Sequence, residues 1–313
     1  MDLKWQATIF IVLILVSLTL TKLGNSFVPG EIDNSIDYNA EEKEVSFQEA
    51  AISNYQPIKK VPNRVWDVLD PNIQAEAVLI RSLDDDFPLF YMNTRDSWRM
   101  ASITKLLTTL VVLEEIGLDK KIPISTSAVE TEGLAGDLQS GEVYNSRDLI
   151  KMMLLVSSND AAAAFEEYFG GKEILVKKLK EKAAELGMNS TEIHDASGLS
   201  DDNFSTANDV LKLAEYIVKN RPEIFNWTRS SEILVQPFNS AQGKIIPNIN
   251  PLVVNRNFLG GKTGTAPLAK ENLVSIMNIR DRKVAIIILG ADDRYLENEK
   301  LVNWVKRAYI FNN

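Results

Sequence analysis

The spacing of apolar residues changes character several times along the chain, and each change marks a predicted element. From Ala7 to Leu20 the chain is continuously apolar apart from Thr8, Ser17 and Thr19. The stretch Trp5–Thr21 would make about 25 Å of helix at ~1.5 Å per residue, the short end for a membrane span. No A-x-A cleavage pattern follows it, and Gly24-Asn25-Ser26 is the one fair site for a signal peptidase. The segment therefore reads as an uncleaved anchor, with a signal peptide as the rival. Lys4 precedes the run and Lys22 follows it, so charge bias hardly sets its orientation. Residues 31–44 carry Glu31, Asp33, Asp37, Glu41, Glu42 and Glu44 against Lys43, the composition of a solvated, disordered linker. The predicted organisation is residues 1–22 as membrane anchor or signal peptide, 23–60 as acidic linker and 61–313 as one globular domain without internal repeats.

Within the domain, Ala75–Leu83 and Pro88–Asn93 read as strands joined by the polar turn Asp84-Asp85-Asp86. Ala101–Ile116 is apolar on nearly every face, which predicts a helix running through the core. A helical block follows. Ser146–Leu155 has Ser146 as candidate N-cap, Asp160–Phe169 ends at Gly170-Gly171, Lys172–Leu186 ends at Gly187, and Ala207–Lys219 stops before Pro222. Strand character returns at Ile233–Gln236, around Gly261–Thr265, at Asn272–Ile279 and at Lys283–Leu289, the last two separated by the tight turn Arg280-Asp281-Arg282. A final helix is predicted over Glu297–Phe311. Strands at both ends with helices between them predict an α+β fold with a largely antiparallel sheet.

Composition removes whole classes of chemistry. The chain has no cysteine and one histidine, His194, so thiol nucleophiles, disulfides and multi-histidine metal sites are excluded. A net charge of −9 argues against a broad phosphate-binding surface, and nucleic acid is not an expected partner. No metal or cofactor is expected.

Three short motifs remain. In Ser102-Ile103-Thr104-Lys105, positions i and i+3 share a helix face, so the Lys105 amine can reach the Ser102 hydroxyl. A serine needs a base to attack a carbonyl, and a lysine serves if a dry site or neighbouring cations lower its pKa. In Ser157-Ser158-Asn159, between two predicted helices, a hydroxyl and an amide could point into a cleft. An equally good reading has Ser158 or Asn159 capping the next helix. In Lys262-Thr263-Gly264, after Gly260-Gly261, a cation and a hydroxyl suit a carboxylate while a glycine admits close backbone approach. Alone, each motif is also compatible with a cap or a surface lysine. Their order, Ser-x-x-Lys, Ser-x-Asn, Lys-Thr-Gly, is the informative feature.

That order resembles the serine β-lactamase and penicillin-binding-protein superfamily. In detail the chain looks like the low-molecular-mass D-alanyl-D-alanine carboxypeptidases, through Met100-Ala-Ser-Ile-Thr-Lys-Leu106, Ser157-Ser-Asn-Asp-Ala161, Leu186-Gly-Met188, Ala196-Ser-Gly-Leu199, Ser205-Thr-Ala207 and Gly261-Lys-Thr-Gly-Thr265. The resemblance implies an antiparallel sheet flanked by helices, with a mainly helical subdomain carrying Ser157 and Asn159. It implies Ser102 as acylated nucleophile and Lys105 as its base, Ser157 as proton relay, and Asn159 on the substrate amide and the lysine. Lys262, Thr263, Gly264 and Thr265 would bind substrate, with the backbone N–H groups of Ser102 and Thr265 as oxyanion hole. Lys105 and Lys262 are expected to lower each other's pKa. Peptidoglycan stem peptides are the implied substrates and β-lactams the implied covalent inhibitors. The domain would lie on the outer side of a bacterial cell membrane, or be secreted if the signal is cleaved. The chain departs from some relatives in having Asn248-Ile249-Asn250 where they carry an arginine between asparagines.

The sequence allows four rival readings. A class A-like β-lactamase would need a glutamate such as Glu185, in Glu185-Leu-Gly-Met-Asn189, but that residue reads as surface. A Ser-His-Asp triad would have to use His194, with Asp195 too close in sequence to orient it. A D,D-endopeptidase would use the same site, and a non-catalytic wall-binding domain would not need the complete motif set.

Overall fold

The computed structural model describes residues 61–311 apart from Leu134; the N-terminal apolar segment and the acidic linker lie outside the described residues. The central sheet has five strands: β1 (Ala77–Ser82), β2 (Phe87–Met92), β3 (Phe258–Ala266), β4 (Lys270–Ile279) and β5 (Arg282–Ala291). Their order is β3-β4-β5-β1-β2, every pair antiparallel. The C-terminal meander β3-β4-β5 thus takes the N-terminal hairpin onto its open edge, with Ile287 opposite Leu79.

Continuous apolar runs in β1 and β5 follow from burial on both faces. Ala77 and Leu79 of β1, with Ala285, Ile287 and Leu289 of β5, join the core under the helical block. Val78 and Ile80, with Val284, Ile286 and Ile288, join a second core against helix α7 (Arg294–Ala308). The β4–β5 connection has Arg280 at φ 51° and Asp281 at φ 62°, the left-handed pair of a tight hairpin turn whose twist matches the flanking strands.

On the first core lie α1 (Thr104–Glu115), α2 (Ser146–Leu155), α3 (Asn159–Tyr168), α4 (Lys172–Glu185), α5 (Ala207–Asn220) and the short α6 (Glu223–Thr228). α1 is buried from Thr104 to Val112, as its all-round apolar pattern predicts. Three expectations shift. Asn145, not Ser146, caps α2 by accepting the Asp148 N–H at 2.7 Å, while Ser146 is buried and donates to the Gly117 carbonyl. α7 starts at Arg294 because Asp293 caps it. It ends at Ala308 because Tyr309 and Ile310 leave the helix to pair with Arg64 and Asn63. α6 escapes sequence reading because six residues are too few for a periodic signal. The α+β architecture with an antiparallel sheet stands as expected. Among the described residues, no helix is long and apolar enough to cross a membrane.

One side chain locks the start of α1 to the sheet. Asn272 of β4, fully buried, donates to the Arg99 and Met100 carbonyls at 2.8 and 3.0 Å and accepts the Gly290 N–H at 2.8 Å. Asn272→Ala removes three hydrogen bonds to the backbone, so urea unfolding should show a loss of about 3 kcal/mol. A loss below about 1 kcal/mol would contradict this role for the amide.

Candidate active site

The chain enters α1 through a single 3-10 turn, Ala101–Ile103, with Ala101 at φ 44°. A non-glycine residue in the left-handed region costs on the order of 1 kcal/mol and persists only where its surroundings enforce it. Here Met100 N–H donates to the Asn203 carbonyl at 2.8 Å, and the Thr104 hydroxyl donates to the Ala101 carbonyl at 2.8 Å. Strand β3 presses on the same turn: a Cβ at Gly264 would lie 2.9 Å from the Met100 carbonyl oxygen and 3.2 Å from the Ile103 nitrogen. Ser102 emerges half-buried between strand and helix.

Lys105 follows one helical turn later and is fully buried. Its Nζ lies 3.0 Å from Ser102 Oγ, 2.7 Å from Asn159 Oδ1 and 2.6 Å from the Ser197 carbonyl oxygen. The latter two atoms accept only, so they take two amine protons; loss of the third leaves the lone pair facing the Ser102 hydroxyl. Burial lowers the Lys105 pKa to about 7, against the opposing pull of the Asp195 carboxylate.

Ser157 sits at φ 60° in the break between α2 and α3. The cap that the sequence allowed for Ser158 or Asn159 is made by Ser158, whose hydroxyl accepts the Ala161 N–H at 3.1 Å. Its neighbours are thereby free for other contacts. Asn159 turns its carbonyl to Lys105 and donates through Nδ2 to the Glu132 carbonyl at 2.7 Å. Gly133 makes room for that amide, since a Cβ there would meet Asn159 Nδ2 at 2.8 Å.

Lys262 on β3 is also buried, and its amine donates to Ser157 Oγ at 3.1 Å and to the Thr263 carbonyl at 2.8 Å. The structure thus joins Ser102, Lys105 and Asn159 in one string of contacts, and Ser157 with Lys262 in another. Thr263, Gly264 and Thr265 continue the strand. The Lys262 pKa is held well below the ordinary lysine value by burial first, then by Lys105 and by Arg294. Lys105 thus lowers the Lys262 pKa, and the depression of Lys105 itself is due first to desolvation.

Sequence reasoning missed an arginine at the site. Arg294, at the start of α7, is buried and donates to the Gly264 and Asn272 carbonyls at 2.8 and 3.0 Å and to the Thr265 hydroxyl, while pairing with Glu271 at 3.2 Å. It brings a guanidinium to the Lys-Thr-Gly strand from a helix that carries no motif. Asn248 and Asn250 instead serve the backbone: Asn248 donates to the Thr228 and Ser230 carbonyls, and Asn250 accepts the Leu252 N–H. The loop at residues 195–200 supplies the Ser197 carbonyl to Lys105, and its Asp-x-Ser-Gly pattern is a turn signal visible in the sequence. His194 lies half-exposed, 3.8 Å from Glu192. Glu185 is a surface residue paired with Lys182 at 2.6 Å.

Comparison with known proteins agrees with this architecture. The sequence family described as D-alanyl-D-alanine carboxypeptidase matches residues 65–293. A D-alanyl-D-alanine endopeptidase of Escherichia coli K12 is 30% identical over 77% of this chain and 80% of its own length. The D-alanyl-D-alanine carboxypeptidase DacC of the same organism is 29% identical over 76% of this chain and 63% of its own. Among solved structures, a penicillin-binding protein homologue from Mycobacterium tuberculosis superposes with a TM-score of 0.70 at 25% identity, covering 80% of this chain and 95% of that one. With the family pattern spanning most of the chain and the fold in agreement, this protein belongs to the D-alanyl-D-alanine carboxypeptidase family.

Proposed function

We propose that the chain is a serine-type D-alanyl-D-alanine carboxypeptidase in which Ser102 is acylated and Lys105 is its base. The observation that carries this reading is the buried Lys105 amine, near neutrality at about 7, 3.0 Å from the Ser102 hydroxyl. Ser102 Oγ attacks the penultimate D-alanine carbonyl and passes its proton to Lys105 Nζ. The developing oxyanion is received by the backbone N–H groups of Ser102 and Thr265. Ser157, which accepts a hydrogen bond from Lys262, relays the proton taken up by Lys105 to the departing D-alanine nitrogen, and water then hydrolyses the ester and returns a proton to the Ser102 hydroxyl. Asn159 orients Lys105 and binds the substrate amide. Lys262 and Thr263 hold the terminal carboxylate, and Gly264 lets the peptide lie close to the strand. A β-lactam offers the same acyl bond and carboxylate, and becomes a covalent inhibitor if its ester deacylates slowly.

The substrate, a peptidoglycan stem peptide, lies outside the cytoplasmic membrane. Residues 1–22 then serve as an N-terminal membrane anchor or signal, 23–60 as an acidic spacer and 61–313 as the catalytic domain on the extracytoplasmic side. The apolar run Ala7–Leu20 and the acidic composition of 31–44 support this arrangement.

A fluorescent penicillin should label the parent protein covalently and leave Ser102→Ala unlabelled at unchanged melting temperature; an unlabelled parent refutes the enzyme reading. Lys105→Ala should slow acylation by about 10³-fold. Because the neutral amine is the base, the acylation rate should rise with pH and level off above about 7. A rate that stays flat from about pH 5.5 to 9 would rule out Lys105 in that role. Digestion of defined wall peptides should release D-alanine from a pentapeptide. Cleavage confined to cross-linked dimers would assign the chain to the endopeptidase activity named for its Escherichia coli relative.

A further inference from the structure

One buried carboxylate near the site has no part in the steps above. Asp195, at 6% exposure, precedes a loop that folds around its side chain. Oδ1 accepts the Ser197 N–H at 2.8 Å, the Ser197 hydroxyl at 3.0 Å and the Gly198 N–H; Oδ2 accepts the Ser200 N–H. Two of the residues so held touch the reacting pair directly. Ser197 offers its carbonyl to Lys105 Nζ at 2.6 Å. Gly198, at φ 85°, is packed so tightly against the turn that a Cβ would sit 2.0 Å from the Ala101 carbonyl oxygen and 2.9 Å from the Ser102 nitrogen. The loop therefore braces the left-handed backbone that presents Ser102.

We propose that Asp195 is a positioning residue of the Ser102–Lys105 pair: its carboxylate folds the loop that touches both residues, and its charge acts on the lysine amine that the loop holds. The inference rests on the roles proposed above for Ser102 and Lys105. The charged groups facing this centre are few. Lys105 comes from α1 and Lys262 from β3, with Arg294 of α7 also acting on Lys262. Glu166 of α3 accepts the Ala196 N–H at 2.9 Å, its own carboxyl being pushed up by burial and by Asp195. His194 and Glu192 lie on the exposed side of the same segment. Asp195 forms no ion pair among the described residues, so its charge is not spent on a surface cation. A nearby anion favours the protonated amine, so Asp195 works against the desolvation of Lys105 and keeps it a strong enough base.

The test is titration of Lys105 by NMR in protein labelled with [ε-13C]lysine, assigned by loss of the signal in Lys105→Arg. The parent midpoint is expected at about 7. In Asp195→Asn it should fall by about one pH unit, and in Asp195→Glu, which restores the charge, it should return towards the parent value. Asp195→Ser, whose hydroxyl can cap the same turn more weakly, carries the same expectation as Asn should that variant not fold. The rising limb of acylation by penicillin should move down with the midpoint. A midpoint unmoved in a folded neutral variant overturns the proposal and leaves Asp195 as a loop anchor only. The NMR reading does not depend on acylation, so failure of the Ser102 assignment would show separately, as a parent that titrates but does not label.

Discussion

The structure depends on keeping one amine out of water. Lys105 is wholly enclosed, and a buried ammonium without partners would cost several kcal/mol, so the group sheds charge and must have its hydrogen-bonding capacity met from the protein. Three segments meet that demand: its own helix through Ser102, the start of α3 through Asn159, and the loop at 195–200 through Ser197. Each partner is held in turn. Ser158 caps α3 and leaves Asn159 free, Gly133 and Glu132 receive its amide, and Asp195 gathers the loop. The lowered pKa thus follows from burial, and direction follows from where the acceptors lie.

The second constraint is steric. Ser102 lies between a helix N-terminus and the edge strand β3, and the two come together only because Gly264 lacks a side chain and Asn272 satisfies the carbonyls of Arg99 and Met100. Two of the left-handed non-glycine residues lie at this place. Ala101 and Ser157 occupy left-handed conformations without being glycine, and both are residues whose position aims a hydroxyl at a lysine. Tight packing of loop and strand around them is what keeps those conformations in place.

Basic side chains gather at the centre of a chain that is acidic overall. The chain as a whole carries −9, yet Lys105, Lys262 and Arg294 converge on one strand and one helix start. Arg294 is paired with Glu271 and spends its remaining donors on backbone carbonyls of the sheet and on Thr265, so it stiffens the Lys-Thr-Gly strand as well as charging it. Such a centre favours an anionic ligand, in keeping with a peptide that ends in a carboxylate.

By itself the sequence determined the parts and much of the chemistry. Doubly buried strands announce themselves as unbroken apolar runs, α1 as a helix apolar on every side, and the absence of thiols and all but one histidine confines acyl chemistry to hydroxyl and amine. The spacing Ser102–Lys105 is set by helical geometry and was legible in advance. Tertiary structure decided what local pattern cannot encode. Lys105 meets Asn159 and Ser197 at separations of 54 and 92 residues, and Lys262 meets Ser157 at 105. The choice of Ser158 over Asn159 as cap, the supply of a guanidinium from α7 and the use of Asp195 to shape the loop all depend on which surfaces pack together. Periodicity reports which face of an element is buried; only packing decides what it is buried against.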